Sequence, residues 1–300
     1  MASYVKQHYI PKTYLRQFAT DSYKNFVYCI DLMDDYRKFP RKLGMNDTVF
    51  IEKNFYTDKR LEDPISIENV LGTQIEPQYN SIIEAIEKRD FQKDFCEKLI
   101  TWLMFSKMRS PVYRHMSREH HEFLSDWFYR MNKITVTEEQ KIIDKKYIES
   151  ISKNGHLDMF ADTESAKEHF KLFQETLYNK TWGFLTPPDG VEFWTNDNPG
   201  FSVNTNPMFA KDKPFHPIIE LNNHSIIYYE LTPKFCLELT PPTTPNKKSA
   251  TGYYLDFVLG QATPEKYNLI MQGVVNTRYK LYISNTKESL ERIVWVPNIN

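Results

Sequence analysis

The stretch TWGFL at residues 181–185 follows a long helical region and is the first of a series of strand-like runs. Similar runs of aromatic and branched side chains occur at residues 191–195, 226–229 and 235–239. Turn signals that contain proline separate them, as in PPDG at residues 187–190. The carboxyl-terminal part of the chain is therefore predicted to be rich in strands.

The middle of the chain, by contrast, is patterned as helix. Apolar residues recur every three or four positions from Leu71 to Ile86 and again from Phe95 to Met108. The sequence TEEQ at residues 137–140 is typical of a helix start, with Thr137 as the cap and Gln140 as its reciprocal partner. These patterns predict a helical subregion at about residues 64–178.

An earlier strand-like run, FVYCI at residues 26–30, precedes the helices. We therefore predict an α+β fold, in which the central helical region packs on one mostly antiparallel sheet formed by amino-terminal and carboxyl-terminal strands. The strand-rich subregion covers about residues 179–300 together with 25–57. We expect the whole chain, residues 1–300, to form a single domain.

Composition excludes several classes of protein. Hydrophobic residues make up 41% and charged residues 26% of the chain, as in an ordinary folded protein. The formal net charge of -1 argues against nonspecific binding to duplex DNA, which requires a basic excess. The sequence has neither a secretion signal nor an apolar run that could span a membrane, so we expect a cytoplasmic protein without membrane attachment. Composition leaves the oligomeric state open.

Several common catalytic motifs are missing from the sequence. It contains no GxxxxGK[ST], GxGxxG, HExxH or GxSxG, which excludes simple P-loop enzymes, dinucleotide dehydrogenases, zincin proteases and α/β-hydrolases. Its three cysteines are far apart and form no CxxC pair, so they predict neither a zinc site nor a disulfide framework.

The amino-terminal stretch QHYIPKTYLRQF at residues 7–18 resembles the opening signature of the bacterial family called domain of unknown function 4238. Shorter similarities follow in the family's order, at EKNFY (52–56), IE (75–76), RSP (109–111), TNDNP (195–199) and LTP (231–233). Asn196 departs from the pattern where a serine is expected, and Gly200 departs where a small apolar residue is expected. The resemblance spans nearly the whole chain. It implies positions of interest but no mechanism.

Helical periodicity turns two charged residues toward the core. Glu76 lies seven positions before Ile83, and Arg109 lies seven positions after Trp102, so each shares the face of an apolar residue. A buried charge is costly unless it is paired, so both residues should find partners, and each could be the partner of the other. The alternative to a functional site is a structural ion pair that fixes the packing of the helices.

We hypothesise that Glu76 and Arg109 converge with His8, Arg16 and Asp197 in one cleft. The hypothesised catalytic residues are His8, Glu76 and Asp197, and the hypothesised substrate-binding residues are Arg16, Arg109, Tyr9 and Asn198. His8 could exchange protons near neutral pH, or it could bond the backbone and hold the terminus. Asp197 could present a catalytic carboxylate from a loop, or it could form a turn before Pro199. Through oxygen ligands, Glu76 and Asp197 could also hold a divalent metal such as magnesium.

Arg114 and His120 suggest a separate site. Their spacing is similar to the active-site motif of the helical ribonuclease superfamily found in higher eukaryotes and prokaryotes. The alternative interpretation is a solvated helix face.

These observations lead to three functional hypotheses. The first is a hydrolase or transferase that acts on a phosphate-bearing small molecule, a nucleotide or RNA, with arginines holding the anion. The second is a non-catalytic ligand-sensing or interaction module, and the third is ribonuclease-like activity through Arg114 and His120. The family resemblance implies a bacterial protein, with phage defence or a toxin system as its expected setting.

Overall fold

The computed structural model describes residues 5–20, 25–33, 39–91, 94–161, 163–204, 214–242, 248–249, 252–253 and 257–293. The helices in this part of the chain are α1 (Lys12–Leu15), α2 (Ser66–Val70), α3 (Gln78–Lys88), α4 (Phe95–Met108), α5 (Pro111–Met131), α6 (Glu138–Asp158), α7 (Glu164–Tyr178), α8 (Pro264–Thr277) and α9 (Lys287–Glu291). Helices α3 to α7 fall within the predicted helical subregion. None of the described helices combines the length and the apolar character needed to cross a bilayer.

Helix boundaries follow local chemistry. The Thr137 hydroxyl accepts the N–H of Gln140 (3.2 Å) and so caps α6 as predicted. The Gln140 side chain does not return to the cap; it donates to Asp144 Oδ1 (2.8 Å) instead. In the RSP sequence, Ser110 accepts the N–H of Val112 (3.2 Å) and Pro111 occupies the first turn of α5. This sequence therefore ends α4 and starts α5.

In the described part of the chain, the strands form two larger sheets and two strand pairs. The described strands are β1 (Lys6–His8), β2 (Phe26–Asp31), β3 (Arg41–Gly44), β4 (Ile51–Lys53), β5 (Thr181–Thr186), β6 (Thr195–Asn196), β7 (Phe201–Val203), β8 (Phe215–His216), β9 (Ile226–Thr232), β10 (Phe235–Thr240), β11 (Lys248–Ser249), β12 (Gly252–Tyr253), β13 (Phe257–Gln261) and β14 (Leu281–Ser284). The larger sheet has the order β13-β5-β10-β9-β7-β8, and the smaller has the order β3-β2-β14-β6. Only the β13–β5 pairing is parallel among these described ladders. The α+β class is confirmed.

Amino-terminal and carboxyl-terminal strands pair as predicted, but the described strands form more than one sheet, whereas a single sheet was predicted. The early strand β2 pairs with β14, with Cys29 opposite Ile283, and therefore belongs to the smaller sheet. The alternation of side chains along a strand indicates that it needs a partner, but it does not indicate which sheet edge it joins. The run at residues 191–195 also differs from its prediction, because only Thr195 and Asn196 form a strand there.

An aromatic cluster joins the helices to the larger sheet. Tyr79 of α3 stacks on Trp102 of α4, with ring centroids 4.0 Å apart. The Trp102 ring meets the edge of Tyr229 on β9 at 5.6 Å, and Tyr14 of α1 lies 6.1 Å from the same tyrosine. All four side chains are buried. Their packing fixes the position of the amino terminus against the helices, where the candidate site lies.

Candidate functional site

The predicted inward-facing charges form an ion pair. Arg109 Nη1 lies 2.5 Å from Glu76 Oε1, and the Arg109 side chain is only 2% exposed. The second outer nitrogen, Nη2, donates to the main-chain carbonyl of His8 (2.7 Å). The guanidinium therefore links α4 to the helix before α3 and to β1. The prediction that both charges find partners is confirmed, and the possibility that they pair with each other is the one observed.

A local irregularity in the helix backbone sets the direction of the Glu76 side chain. Residues Leu71–Ile75 form a π-helical turn, closed by the N–H of Glu76 donating to the carbonyl of Leu71 (2.9 Å). Such a turn adds one residue to the helix and shifts the direction of the side chains that follow it. Gly72 lies in the same turn, with open space where a Cβ would stand. Together the turn and the glycine leave room beside Glu76.

A cleft of about 470 Å³ opens next to this turn, within the size range of small-molecule sites. It is lined by residues of β1, α1, β4, α2 and the π-helical turn, by Glu76 at the end of that turn, and by one loop residue. The lining residues are Lys6, His8, Lys12, Asn46, Ile51, Glu68, Gly72 and Glu76. Two lysines, one histidine and two carboxylates thus face one space. Most of them come from segments far apart in the chain.

His8 is held as a neutral imidazole. Its Nε2 lies 2.9 Å from the carbonyl of Met45, and since a carbonyl only accepts, Nε2 carries the proton. Burial lowers the pKa of His8 below 6.5, and the positive charges of Lys12 and Arg109 lower it further, although the bond to Met45 opposes them. Nδ1 is therefore left able to accept a proton near neutral pH.

Glu68 has the opposite perturbation. Burial raises its pKa above 4.5, and the nearby Glu76 carboxylate adds to the increase, against the attraction of Arg109. Its Oε2 atom is buried and has no hydrogen-bond partner among the described residues. Glu68 was missed in the sequence because it lies on the short helix α2, where periodicity cannot be read. A neutral imidazole and a carboxyl with a raised pKa therefore line the same cleft.

Asp197 does not line this cleft. Its buried carboxylate accepts the N–H of Tyr279 (2.9 Å) and that of Lys280 (3.0 Å). Burial raises the pKa of Asp197 to about 6, although these N–H groups oppose the shift. The carboxylate thus ties the loop after β6 to the approach to β14. Asp197 therefore does not share the cleft with Glu76 as hypothesised, because backbone N–H groups of a segment distant in the chain satisfy its carboxylate.

Three of the hypothesised binding residues also lie outside the cleft lining. Arg16 is exposed on the 3₁₀ turn that follows α1. The buried Tyr9 donates its hydroxyl to the carbonyl of Val49. Asn198 donates to the carbonyls of Pro217 and Thr277, each at 2.8 Å. Tyr9 and Asn198 therefore make internal contacts.

A buried lysine that the sequence analysis overlooked holds the same loop. Lys107 Nζ donates to Asn198 Oδ1 (2.8 Å), to the carbonyl of Gly200 (2.7 Å) and to the carbonyl of Pro217 (2.8 Å). Burial lowers its pKa to about 7, against the attraction of Glu230. The sequence does indicate that Lys107 is buried, because it lies seven positions after Ile100 and shares the buried face of that residue.

The metal expectation finds no support in the described residues. Among them, no three His, Cys, Asp or Glu side chains are grouped so that they could hold a metal ion. Glu76 pairs with Arg109, and Asp197 accepts backbone N–H groups, so the two do not form a shared site.

Arg114, one of the two residues of the suggested ribonuclease-like site, makes structural contacts. Arg114 contacts Glu52 (3.0 Å) and the carbonyl of Phe55 (2.7 Å), and its guanidinium stacks on the Phe55 ring at 3.9 Å. His120 is exposed on the same helix, six positions later, which places it roughly 240° around the helix axis. Arg114 therefore has a structural role, and its pairing with His120 in a ribonuclease-like site stays a prediction.

The comparisons with known proteins identify a family and no activity. A family described as a protein of unknown function (DUF4238) matches residues 6–287 of this 300-residue chain. Neither the curated proteins nor the solved structures contain a significant match. Because the family match covers far more than half of this chain, the chain belongs to the DUF4238 family.

Proposed function

We propose that the cleft beside His8 binds a small phosphate-bearing substrate, such as a nucleotide, and that the protein hydrolyses it or transfers a group from it. The observation that supports this is the lining of one cleft by Lys6, Lys12, His8 and Glu68. Positive charge for an anion and two groups with shifted pKa values are thus available within one space. Clefts that combine these properties are candidate active sites.

The lysines provide the anion-binding part of the proposal. Lysine ammonium groups bind phosphate as point charges on flexible stems, and Lys6 is exposed enough to reach a ligand at the mouth of the cleft. Arg109 takes a different role from the one hypothesised from the sequence. It is buried behind the cleft and engaged with Glu76 and the His8 carbonyl, so it acts as a positioning residue.

His8 and Glu68 provide the proton transfers. Neutral His8 accepts a proton from the attacking water or hydroxyl, while Glu68, whose raised pKa favours its protonated form, donates a proton to the departing oxygen. The opposite perturbations of the two groups assign these roles, since neighbouring groups with pKa values shifted in opposite directions divide acid and base functions.

A binding screen followed by a turnover assay tests the proposal. We expect a nucleotide or sugar phosphate to raise the melting temperature of the wild-type protein, and Lys12→Ala to weaken this effect. His8→Gln and Glu68→Gln should keep the melting temperature of the free protein but lower turnover by about 100-fold or more. His224→Gln, an exposed histidine outside the cleft, is the matched control and should retain activity.

The pH profile separates catalysis from a structural role. With His8 as base and Glu68 as acid, the activity should have an optimum on the acidic side of neutrality, because one pKa is lowered and the other raised. Glu68→Gln should remove the loss of activity at higher pH. Ligand binding without turnover would contradict catalysis and favour the sensing module, and the absence of binding across the panel would contradict both.

A further inference from the structure

Helices α5 and α6 form a two-helix arm, joined by residues 132–137. They run antiparallel, since Tyr129 bonds Asp144 (2.6 Å) near the tip and the Tyr113 ring lies 6.3 Å from His156 at the base. The structure describes the arm completely, and no side chain from Tyr113 to Tyr147 is buried. A helix pair of this length thus lacks a core of its own.

Five large apolar side chains on α5 are exposed on one face. These residues, which we call the α5 stripe, are Phe123 (64% exposed), Leu124 (44%), Trp127 (52%), Phe128 (53%) and Met131 (64%). Their spacing of one, four, five and eight positions keeps them within one side of the helix. Ile142, Ile143 and Tyr147 of α6 are exposed to a similar degree. An apolar helix face as continuous as the α5 stripe usually marks an interface.

The exposed area of the α5 stripe is a large part of what a protein interface needs. A large aromatic side chain contributes on the order of 200 Å² when fully covered, so the half-exposed α5 stripe offers roughly 500 Å². This is more than half of the roughly 800 Å² that each partner contributes to a stable complex.

We propose that the α5 stripe packs antiparallel against the same stripe of a second copy of this chain. Asp126 and Arg130 lie one helical turn apart along one edge of the stripe. When two such helices cross antiparallel near residue 128, Asp126 of each copy lies opposite Arg130 of the other. The edge of the stripe is therefore complementary to itself, as in antiparallel helix pairs.

The charge balance of the arm favours a protein partner over a lipid surface. Residues 118–146 carry six acidic and six basic side chains. Helices that lie on anionic membranes usually carry a basic excess beside the apolar face. A mixed edge without net charge is instead typical of helix-to-helix recognition.

The oligomeric state of the full chain tests this proposal. We expect light scattering after gel filtration to give twice the mass of one chain at micromolar concentration. The double variant Phe123→Glu/Trp127→Glu should raise the dimer dissociation constant by roughly two orders of magnitude or more, with an unchanged circular dichroism spectrum. Leu172→Glu changes a leucine on α7 whose exposure (49%) is similar to that of Leu124 in the stripe, and it should leave the dimer intact.

A charge exchange tests the antiparallel register. Asp126→Arg and Arg130→Asp should each weaken the dimer, because each creates like charges across the interface. An equimolar mixture of the two variants should recover a dimer, because each copy then faces opposite charges. A mixture that stays monomeric would overturn the register. A wild-type chain that stays monomeric, with or without binding to vesicles of phosphatidylcholine and phosphatidylserine, would overturn the proposal.

Discussion

Arg109 is a buried guanidinium whose two outer nitrogens both have acceptors. Glu76 pairs with Nη1 and the His8 carbonyl accepts from Nη2, so neither nitrogen is left without a partner in the interior. Removing one member of such an arrangement leaves a buried charge uncompensated, which costs more than the net contribution of the pair. The stability of this region should therefore depend on both partners together.

We predict that Glu76→Ala lowers the free energy of unfolding by about 3 kcal/mol, measured by urea denaturation. A double-mutant cycle with Arg109→Met should show coupling, because the second change removes the charge that the first leaves unpaired. Glu84→Ala is the control, since the Glu84–Lys88 pair is exposed and should contribute little. Additivity within about 0.5 kcal/mol would contradict an energetic link between Glu76 and Arg109.

Among the elements, the loop that connects β6 to β7 approaches the larger sheet closely at Gly200. Gly200 has a φ of +77°, and a Cβ there would stand 2.3 Å from Cδ2 of Tyr229. Gly190 has the same φ, but a Cβ at that position would meet no atom within 4 Å. A comparison of alanine substitutions at the two glycines therefore separates the cost of backbone strain from the cost of steric crowding.

We predict that Gly190→Ala costs about 1–2 kcal/mol of stability, the usual penalty of the left-handed conformation. Gly200→Ala should cost about 1–3 kcal/mol more, because the Tyr229 ring must move within a packed core. Thermal denaturation of the two variants measures the difference. Equal melting temperatures would show that the loop can move away from β9 without loss.

For the molecule as a whole, His156 links the base of the arm to the body. Its Nε2 donates to the carbonyl of Met108 (2.6 Å), and aromatic rings of Phe55, Tyr56 and Phe160 surround it. Burial lowers the pKa of His156 to about 3, with the charge of Arg114 contributing and the bond to Met108 opposing. The folded protein therefore resists protonation at this position.

This depressed pKa predicts a dependence of stability on pH. Between pH 6.5 and about 3 the unfolded chain binds a proton at His156 and the folded chain does not, so stability falls as the pH falls through this window. We expect His156→Phe to reduce this loss, seen as a smaller decrease in melting temperature between pH 6.5 and 4. His120→Phe, at an exposed position, should not change the slope. Parallel curves for wild type and His156→Phe would contradict the prediction.

The single-domain organisation stays a prediction, whereas the α+β class, the helical subregion and the Glu76–Arg109 pairing could be read from the sequence. Each depends on interactions between residues close together in the chain: the periodicity of apolar side chains, the cap at Thr137, and the cost of leaving a charge alone on a buried face.

Only the tertiary structure decided which sheet β2 joins, which backbone groups satisfy Asp197, and that Lys6, Lys12 and Glu68 share a cleft with His8. A strand edge or a buried carboxylate can be satisfied by many alternative partners. The partner that it obtains depends on contacts between segments separated by tens to hundreds of residues. Local patterning identified the groups that required partners, and long-range packing selected those partners.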